Sequence, residues 1–219
     1  MRDSELSLEL ELKRKGYVSF SSNPEKSILE VASDFGEVYK VPTMPLVQTL
    51  TPRFRENEQE NTYSGNYGLN EFPFHTDLAH WYVPPRYLFL RCEFPAVDVA
   101  TKLIDCQDIM NDEVIDLLAR AHFRPRKRLD GKSNILKIFN ENIFRWDSIF
   151  IKPANKIGER LKICIVELLH SIQSQEVFLT SKGDCLLIDN WRMLHGRGCI
   201  DSNSMNRKIE RVYFNEVKF

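Results

Sequence analysis

Glycine is scarce in this 219-residue chain, at 9 residues, and proline is no more than ordinary at 10. That excludes collagen-like repeats and linker-rich architectures. No run approaches the ~18 consecutive apolar residues of a membrane-spanning helix. The opening stretch, MRDSELSLELELKRKGYVSF, is charged throughout and lacks the apolar segment of a signal peptide. The five cysteines (Cys92, Cys106, Cys164, Cys185 and Cys199) are odd in number, scattered, and never spaced CxxC. This disfavours a disulfide framework or a structural zinc site. The expectation is a cytoplasmic protein with no membrane partner. An excess of charge of either sign is also missing, with 30 Lys+Arg against 31 Asp+Glu and a net charge of −1. Domains that neutralise phosphate backbones are strongly basic, so nucleic acid is a disfavoured partner. Absent too are the nucleophile elbow GxSxG, the phosphate loop GxxxxGK[ST], HExxH and GxGxxG.

What is present is an ordinary globular composition, 42% hydrophobic and 28% charged, with 11% aromatics to fill a large core. β-rich sandwiches and barrels commonly run to 200–250 residues as one unit, so one domain spanning 1–219 is expected. Helical character is read at 4–14 and 25–35. Short strands are read at 17–20, 37–41, 46–50 and 86–93. Residues 51–70 are polar and without periodicity, either an active-site lid or a disordered segment. Ile109, Met110, Val114, Leu117 and Leu118 carry helical spacing over 107–120, and 155–173 is the clearest helix. Strands are read at 122–128, 134–139, 142–147, 184–189 and 207–217. Many short strands with few helices suit a mainly β, sheet-on-sheet core buttressed by helices. Nothing in the pattern sets an oligomeric state.

Two short segments could carry chemistry: His75-Thr76-Asp77, just before one strand, and His195, just after another. In extended backbone, residues two apart point the same way, so His75 and Asp77 can offer a nitrogen and an oxygen to one ion. His195 would complete a two-histidine, one-carboxylate set. Such a set leaves one net positive charge on a divalent ion and three open positions, the arrangement of non-heme Fe(II) oxygenases. The competing reading has His75 capping a turn and His195 hydrogen-bonded in the core.

Arg207 follows His195 by twelve residues and Arg211 comes four later, in the last strand. An even offset places both guanidinium groups and Ile209 on one face, the two arginines about 13 Å apart at ~3.3 Å per residue. A planar fork suits a carboxylate that reaches a metal from a distance. Surface ion pairs are the alternative use.

FPFHTDLAHWYVPPRYLFLRC, then LLIDNWRMLHGRG, then RKIERVYF resemble the signature blocks of Fe(II)/2-oxoglutarate-dependent dioxygenases of the taurine dioxygenase and clavaminate synthase-like superfamily. The first block is similar to the amino-acid oxygenase branch. The resemblance spans roughly residues 70–215 and implies a double-stranded β-helix (jelly-roll) fold. It implies that His75, Asp77 and His195 ligate Fe(II). Arg207, helped by Thr101, would grip the distal carboxylate of the 2-oxoglutarate cosubstrate. Arg211 would meet an anionic group of the substrate. The activity implied uses O2 to oxidise a C–H bond of a small molecule, an amino acid or derivative, while 2-oxoglutarate becomes succinate and carbon dioxide. With the carboxylate ligand present, hydroxylation or desaturation is implied rather than halogenation. The chain departs from the pattern in three places. It has Asp77 where many amino-acid oxygenases have Glu, it has Asp98-Val99-Ala100-Thr101 in place of Gly-Asp-Thr, and it is short.

Other residues take plainer readings. Trp81, Trp191, Phe72 and Phe74 read as an apolar shell that excludes water, with stacking on a substrate as the alternative. Arg197 orients His195, binds an anion or makes a structural ion pair. Asp189-Asn190 forms the turn ahead of Trp191. Glu71 could accept a hydrogen bond from a substrate amine. The run Arg124–Arg128 reads as a solvated strand or loop. His80, His122 and His170 show no ligand pattern. Two alternatives stay open: a metal-binding barrel that does not turn over, and an oxygenase directed to nucleic acid through 124–128.

Overall fold

A computed structural model describes residues 2–42, 44–60, 62–127 and 134–219, with side chains described from Leu6 onward. The strands are β1 (Tyr17–Ser21), β2 (Gln48–Leu50), β3 (Phe72–His75), β4 (Tyr87–Phe94), β5 (Thr101–Asp105), β6 (Phe123–Pro125) and β7 (Phe139–Asn140). They continue with β8 (Ile143–Phe144), β9 (Ile151–Pro153), β10 (Gln175–Val177), β11 (Asp184–Asp189), β12 (Met193–Arg197) and β13 (Lys208–Phe214). The helices are α1 (Arg2–Lys15), α2 (Ile28–Ala32), α3 (Tyr63–Tyr67), α4 (Asp112–Arg120) and α5 (Lys156–Ser171). None is long and apolar enough to cross a membrane.

Two antiparallel sheets face one another. One has the order β1-β11-β4-β13-β2 and the other β10-β5-β12-β3. Leu88, Leu90 and Cys92 of β4, Leu186 and Ile188 of β11, and Ile209 and Tyr213 of β13 fill the space between them. Leu103 and Met193 meet them from the second sheet. The alternate residues Phe89, Leu187 and Val212 turn outward and are buried by Leu12 of α1 and Ile28, Val31 and Ala32 of α2. Central strands covered on both faces therefore read as continuous apolar runs. On the far side, Val114, Leu117 and Leu118 of α4 and Leu161 and Ile165 of α5 pack over Ile104 and Leu194. Each fully buried aliphatic side chain contributes roughly 1.5–3 kcal/mol, so these three interfaces carry the fold's apolar burial. Asn111 and Asn155 cap α4 and α5 by accepting from the third amide of each helix.

The expected fold class holds: mainly β, in the jelly-roll arrangement, with helical buttresses. Helices and strands read at 4–14, 17–20, 86–93, 155–173 and 184–189 form within one or two residues of those bounds. The strand read at 37–41 does not form. Only Tyr39 N–H reaches Tyr213 O, at 2.7 Å, and Pro42 and Pro45 then remove donors that a ladder would need. Residues 142–147 and 134–139 shorten to a two-strand ribbon, β7–β8, turned at Glu141 and Asn142, both with positive φ. Of the 124–128 run, Arg124, Arg126 and Lys127 are exposed, while Arg128 lies outside the described residues. Within 51–70, α3 forms behind a Thr62 cap, accepting from Gly65 N–H.

Candidate active site

His75 and His195 are not beside strands but in them. His75 closes β3, His195 is the middle of β12, and the two are direct cross-strand partners. The adjacent Gly196 lets β3 come close, since a Cβ there would stand 2.7 Å from the Phe72 carbonyl oxygen. The chain then leaves β3 so that Asp77 turns back toward the pair, and Leu78 takes the left-handed conformation at φ 57°. Asp77 Oδ1 lies 3.6 Å from Nε2 of each histidine, and the three potential ligand atoms lie within 4.8 Å of one another. Ligands on ~2.1 Å bonds at right angles stand roughly 3 Å apart, so a slight contraction would close this set on an ion. All three residues are buried. The His75 Nδ1 contact with the Pro73 carbonyl, 2.8 Å, leaves its Nε2 for a metal. His195 Nδ1 has no partner among the described residues, so strand packing and the Asp77 contact at Nε2 set that ring. Burial lowers the His195 pKa and favours the neutral ring that can ligate; at His75 the same burial is outweighed by Asp77 and Asp147, and the pKa rises.

Asp77 is held from two sides. Its Oδ2 accepts from Arg211 Nη1 at 2.9 Å and from the Tyr213 hydroxyl at 2.8 Å. Oδ1 is thereby left facing the imidazoles. Burial opposes ionisation, but Arg211 and the two histidines outweigh it and hold the carboxyl well below the usual carboxylate range. Its backbone is clamped as well: Asn190, fully buried, accepts from Asp77 N–H at 2.7 Å and donates to the carbonyls of Asp77 and Pro85. Thr76 and Trp146 exchange two hydrogen bonds, and the buried Arg145 donates to the carbonyls of Ala79, Trp81 and Tyr82. These contacts fix the turn that carries the carboxylate.

The three residues open into a cavity of about 520 Å³ between the sheets, which Thr101, Arg207, Ile209 and Arg211 also line. Arg207 is 8% exposed, and its guanidinium makes no ion pair or hydrogen bond among the described residues. Burial lowers its pKa to about 10. An unpaired buried cation is costly, and its natural complement is an anionic ligand. Thr101 is buried at the start of β5, opposite Arg197.

No family model matches the chain. Gamma-butyrobetaine dioxygenase of Homo sapiens and that of Pongo abelii are each 25% identical over 174 residues, 67% of this chain. The chain spans less than half of those relatives, 45% of each. Among solved structures, asparagine oxygenase in complex with Fe(II), 3-hydroxyasparagine and succinate aligns at TM-score 0.70 and 15% identity, over 98% of this chain and 79% of that one. The non-heme iron oxygenase OrfP with Fe aligns at 0.71 and 18% identity, over 98% and 80%. PvcB of Pseudomonas aeruginosa aligns at 0.68 and 18% identity, over 96% and 79%. The chain has the non-heme iron oxygenase fold.

On this oxygenase fold the expected residues fall in different places. His75, Asp77, His195, Arg207 and Thr101 share one cavity. Arg211 lines it too, but its Nε and Nη2 both donate to Gln48 Oε1 and its Nη1 to Asp77, so most of its fork is already engaged within the protein. Glu71 stands outside the cavity lining, exposed and ion-paired with Lys102 at 2.9 Å. Arg197 stacks over Phe72, 3.6 Å from the ring centroid, and donates to the carbonyls of Gly68 and Asn70, tying the segment after α3 to β12. Within 51–70, Tyr63 and Ser64 reach the cavity wall.

Three residues of this site escaped the sequence reading: Asn190, Tyr213 and Asp147. Asn190 reads as a turn residue, and Tyr213 as one more strand aromatic. Asn190→Ala would leave a buried N–H and two buried carbonyls unpaired, at about 1–3 kcal/mol for each lost partner. We expect the metal-free melting temperature to fall by at least 5 °C, checked by calorimetry, with weaker Mn(II) binding in the folded fraction.

Proposed function

We propose that this chain is an Fe(II)- and 2-oxoglutarate-dependent oxygenase that hydroxylates or desaturates a C–H bond of a small molecule, such as an amino acid or derivative. The observation that carries the reading is the meeting of a two-histidine, one-carboxylate cluster with an unpaired, buried guanidinium in one cavity. The donor set fits Fe(II): two imidazoles, one of them favoured neutral by burial, and an ionised carboxylate on a facial set. Iron and 2-oxoglutarate together would supply the oxidising chemistry with O2, and the protein would supply geometry and a dry pocket. His75, Asp77 and His195 would hold the metal. Arg207 and the Thr101 hydroxyl would hold the distal carboxylate of 2-oxoglutarate. The Arg211–Tyr213 pair keeps Asp77 turned so that one oxygen faces the metal. Leu78, Leu88, Leu90 and Ile209 line the same cavity and exclude water from it. Support comes from asparagine oxygenase and OrfP, each crystallised with iron, succinate and a hydroxylated amino acid.

Anaerobic titration with Fe(II) and then 2-oxoglutarate tests it. The visible charge-transfer absorption of Fe(II) chelated by a 2-oxo acid should appear at one equivalent. A protein that binds neither, or binds iron without that absorption, is not this oxygenase.

A further inference from the structure

A third histidine lines the cavity and belongs to neither the metal cluster nor any hydrogen-bond network. His80 sits on the turn that follows Asp77, and its partly buried ring shares the cavity wall with His75 and His195. The turn is rigid on both sides of it, because the buried Arg145 donates to the carbonyls of Ala79 and Trp81. Phe150, another wall residue, has its ring 5.5 Å from the imidazole. Among the described residues His80 Nδ1 is buried without a partner. Nε2 is unpaired too, but it is not shut away from solvent. Buried polar groups in folded proteins nearly always have partners, so a histidine fixed in a cavity wall with none calls for a ligand.

The two nitrogens differ in what they can do. Burial lowers the His80 pKa, which favours the neutral ring with a single proton. On Nδ1 that proton would form an N–H donor cut off from water and from any acceptor. Buried N–H groups are left unpaired more rarely than buried acceptors. The cheaper arrangement leaves a bare lone pair on Nδ1 and puts the proton on Nε2. The accessible nitrogen is then a donor, and it is fixed in place by the turn that carries it.

We infer that His80 is a specificity-determining residue whose Nε2–H donates to a carboxylate or carbonyl oxygen of the substrate, beside Phe150. The inference rests on the oxygenase reading and deepens it by assigning a substrate contact. It also replaces an expectation. The sequence put an anionic group of the substrate at Arg211, but that guanidinium is committed to Gln48 and Asp77. His80 is the donor left free. Selectivity follows from the same lack of partners: an analogue without the oxygen leaves the imidazole N–H unpaired in a closed site, and it is rejected for that reason.

Two measurements on the full chain test it. The first needs neither iron nor substrate: long-range 1H–15N NMR of the Zn(II)-loaded chain at neutral pH, with His80→Phe assigning the signals. His80 should be neutral and protonated on Nε2; a charged ring, or a proton on Nδ1, overturns the inference. The second loads the chain anaerobically with Fe(II) and 2-oxoglutarate and reads the shift of the charge-transfer band and the calorimetric Kd. The probes are pairs that differ by one oxygen-bearing group: L-glutamine and L-norvaline, L-asparagine and L-2-aminobutyrate, L-arginine and agmatine, L-lysine and cadaverine. In at least one pair the oxygen-bearing member should bind about tenfold tighter or better, the value of one well-placed hydrogen bond. His80→Phe should reduce that ratio to within about twofold, with the 2-oxoglutarate Kd also within about twofold and the metal-free Tm unchanged or higher. His80→Gln, whose amide can donate from nearly the same place, should keep part of the ratio. If no pair shows the ratio, or if His80→Phe keeps it, the inference fails. A parent protein that develops no charge-transfer band removes the oxygenase reading instead.

Discussion

Asp77→Ala should abolish iron-dependent turnover and also destabilise the metal-free protein, two effects with separate causes. The first follows, on the proposed function, from losing one of the three proposed ligands. Losing a group that merely orients a ligand costs 10–100-fold in metal affinity, so losing the ligand itself should cost at least 100-fold. The second follows from what Asp77 does without metal. Its Oδ2 accepts from Arg211 and Tyr213, both largely buried. Removing the acceptor strands a guanidinium and a hydroxyl. Breaking a buried pair by deleting one partner costs about 3–5 kcal/mol, and the low end applies because Arg211 keeps a fifth of its side chain exposed and its bonds to Gln48. At ~2–4 °C per kcal/mol for a protein this size, the apo Tm should drop by roughly 6–12 °C. Scanning calorimetry of metal-free samples measures this, and Fe(II)-dependent succinate release measures the other. Full turnover in the variant would show that Asp77 is no ligand.

Arg207→Met should show the opposite pairing: loss of cosubstrate affinity with no loss of stability. Truncating one partner of a buried, hydrogen-bonded charge pair costs about 2–5 kcal/mol of binding, which is roughly 30-fold to several thousand-fold in the 2-oxoglutarate Kd. Within the protein the guanidinium has no counter-ion among the described residues, and desolvation has already lowered its pKa to about 10. Replacing an unpaired buried charge with an apolar chain of similar length should therefore leave the apo Tm unchanged or raise it. A binding residue held at a cost to folding is the usual mark of a functional site. If the variant melts several degrees lower and binds 2-oxoglutarate normally, Arg207 is a structural residue with a partner elsewhere.

These two residues also show where the sequence was readable and where it was not. The HTD triplet and the RxxxR spacing are local, and extended backbone puts alternate residues on one side whatever the surrounding fold, so both were visible in the one-dimensional pattern. The long helices were legible for the same reason: three-to-four spacing at Leu161, Ile165 and Leu168 is a property of the segment itself. Short strands were harder. β3 contains Pro73, which an edge strand tolerates, and β12 contains Gly196, which propensity counts against a strand. Both exist because each has a partner at the right distance. The partners of Arg211 were not readable at all. An arginine facing a cavity and an arginine facing Asp77 and Gln48 have the same local sequence; only the approach of β13 and β2 to the turn after β3 decides between them.

By itself, then, the sequence determined the apolar runs of the core strands, the apolar faces of α4 and α5, and the identities of the groups able to bind a metal and a dicarboxylate. Those depend on residue chemistry and on periods of two and 3.6. Tertiary structure alone decided that His195 pairs across from His75, that Asn190 clamps the Asp77 backbone, that Glu71 turns to Lys102, and that Asp147 is buried in the same cavity as the two histidines. Such contacts join residues as much as 120 positions apart. Burial and pairing at each end depend on the other end being in place.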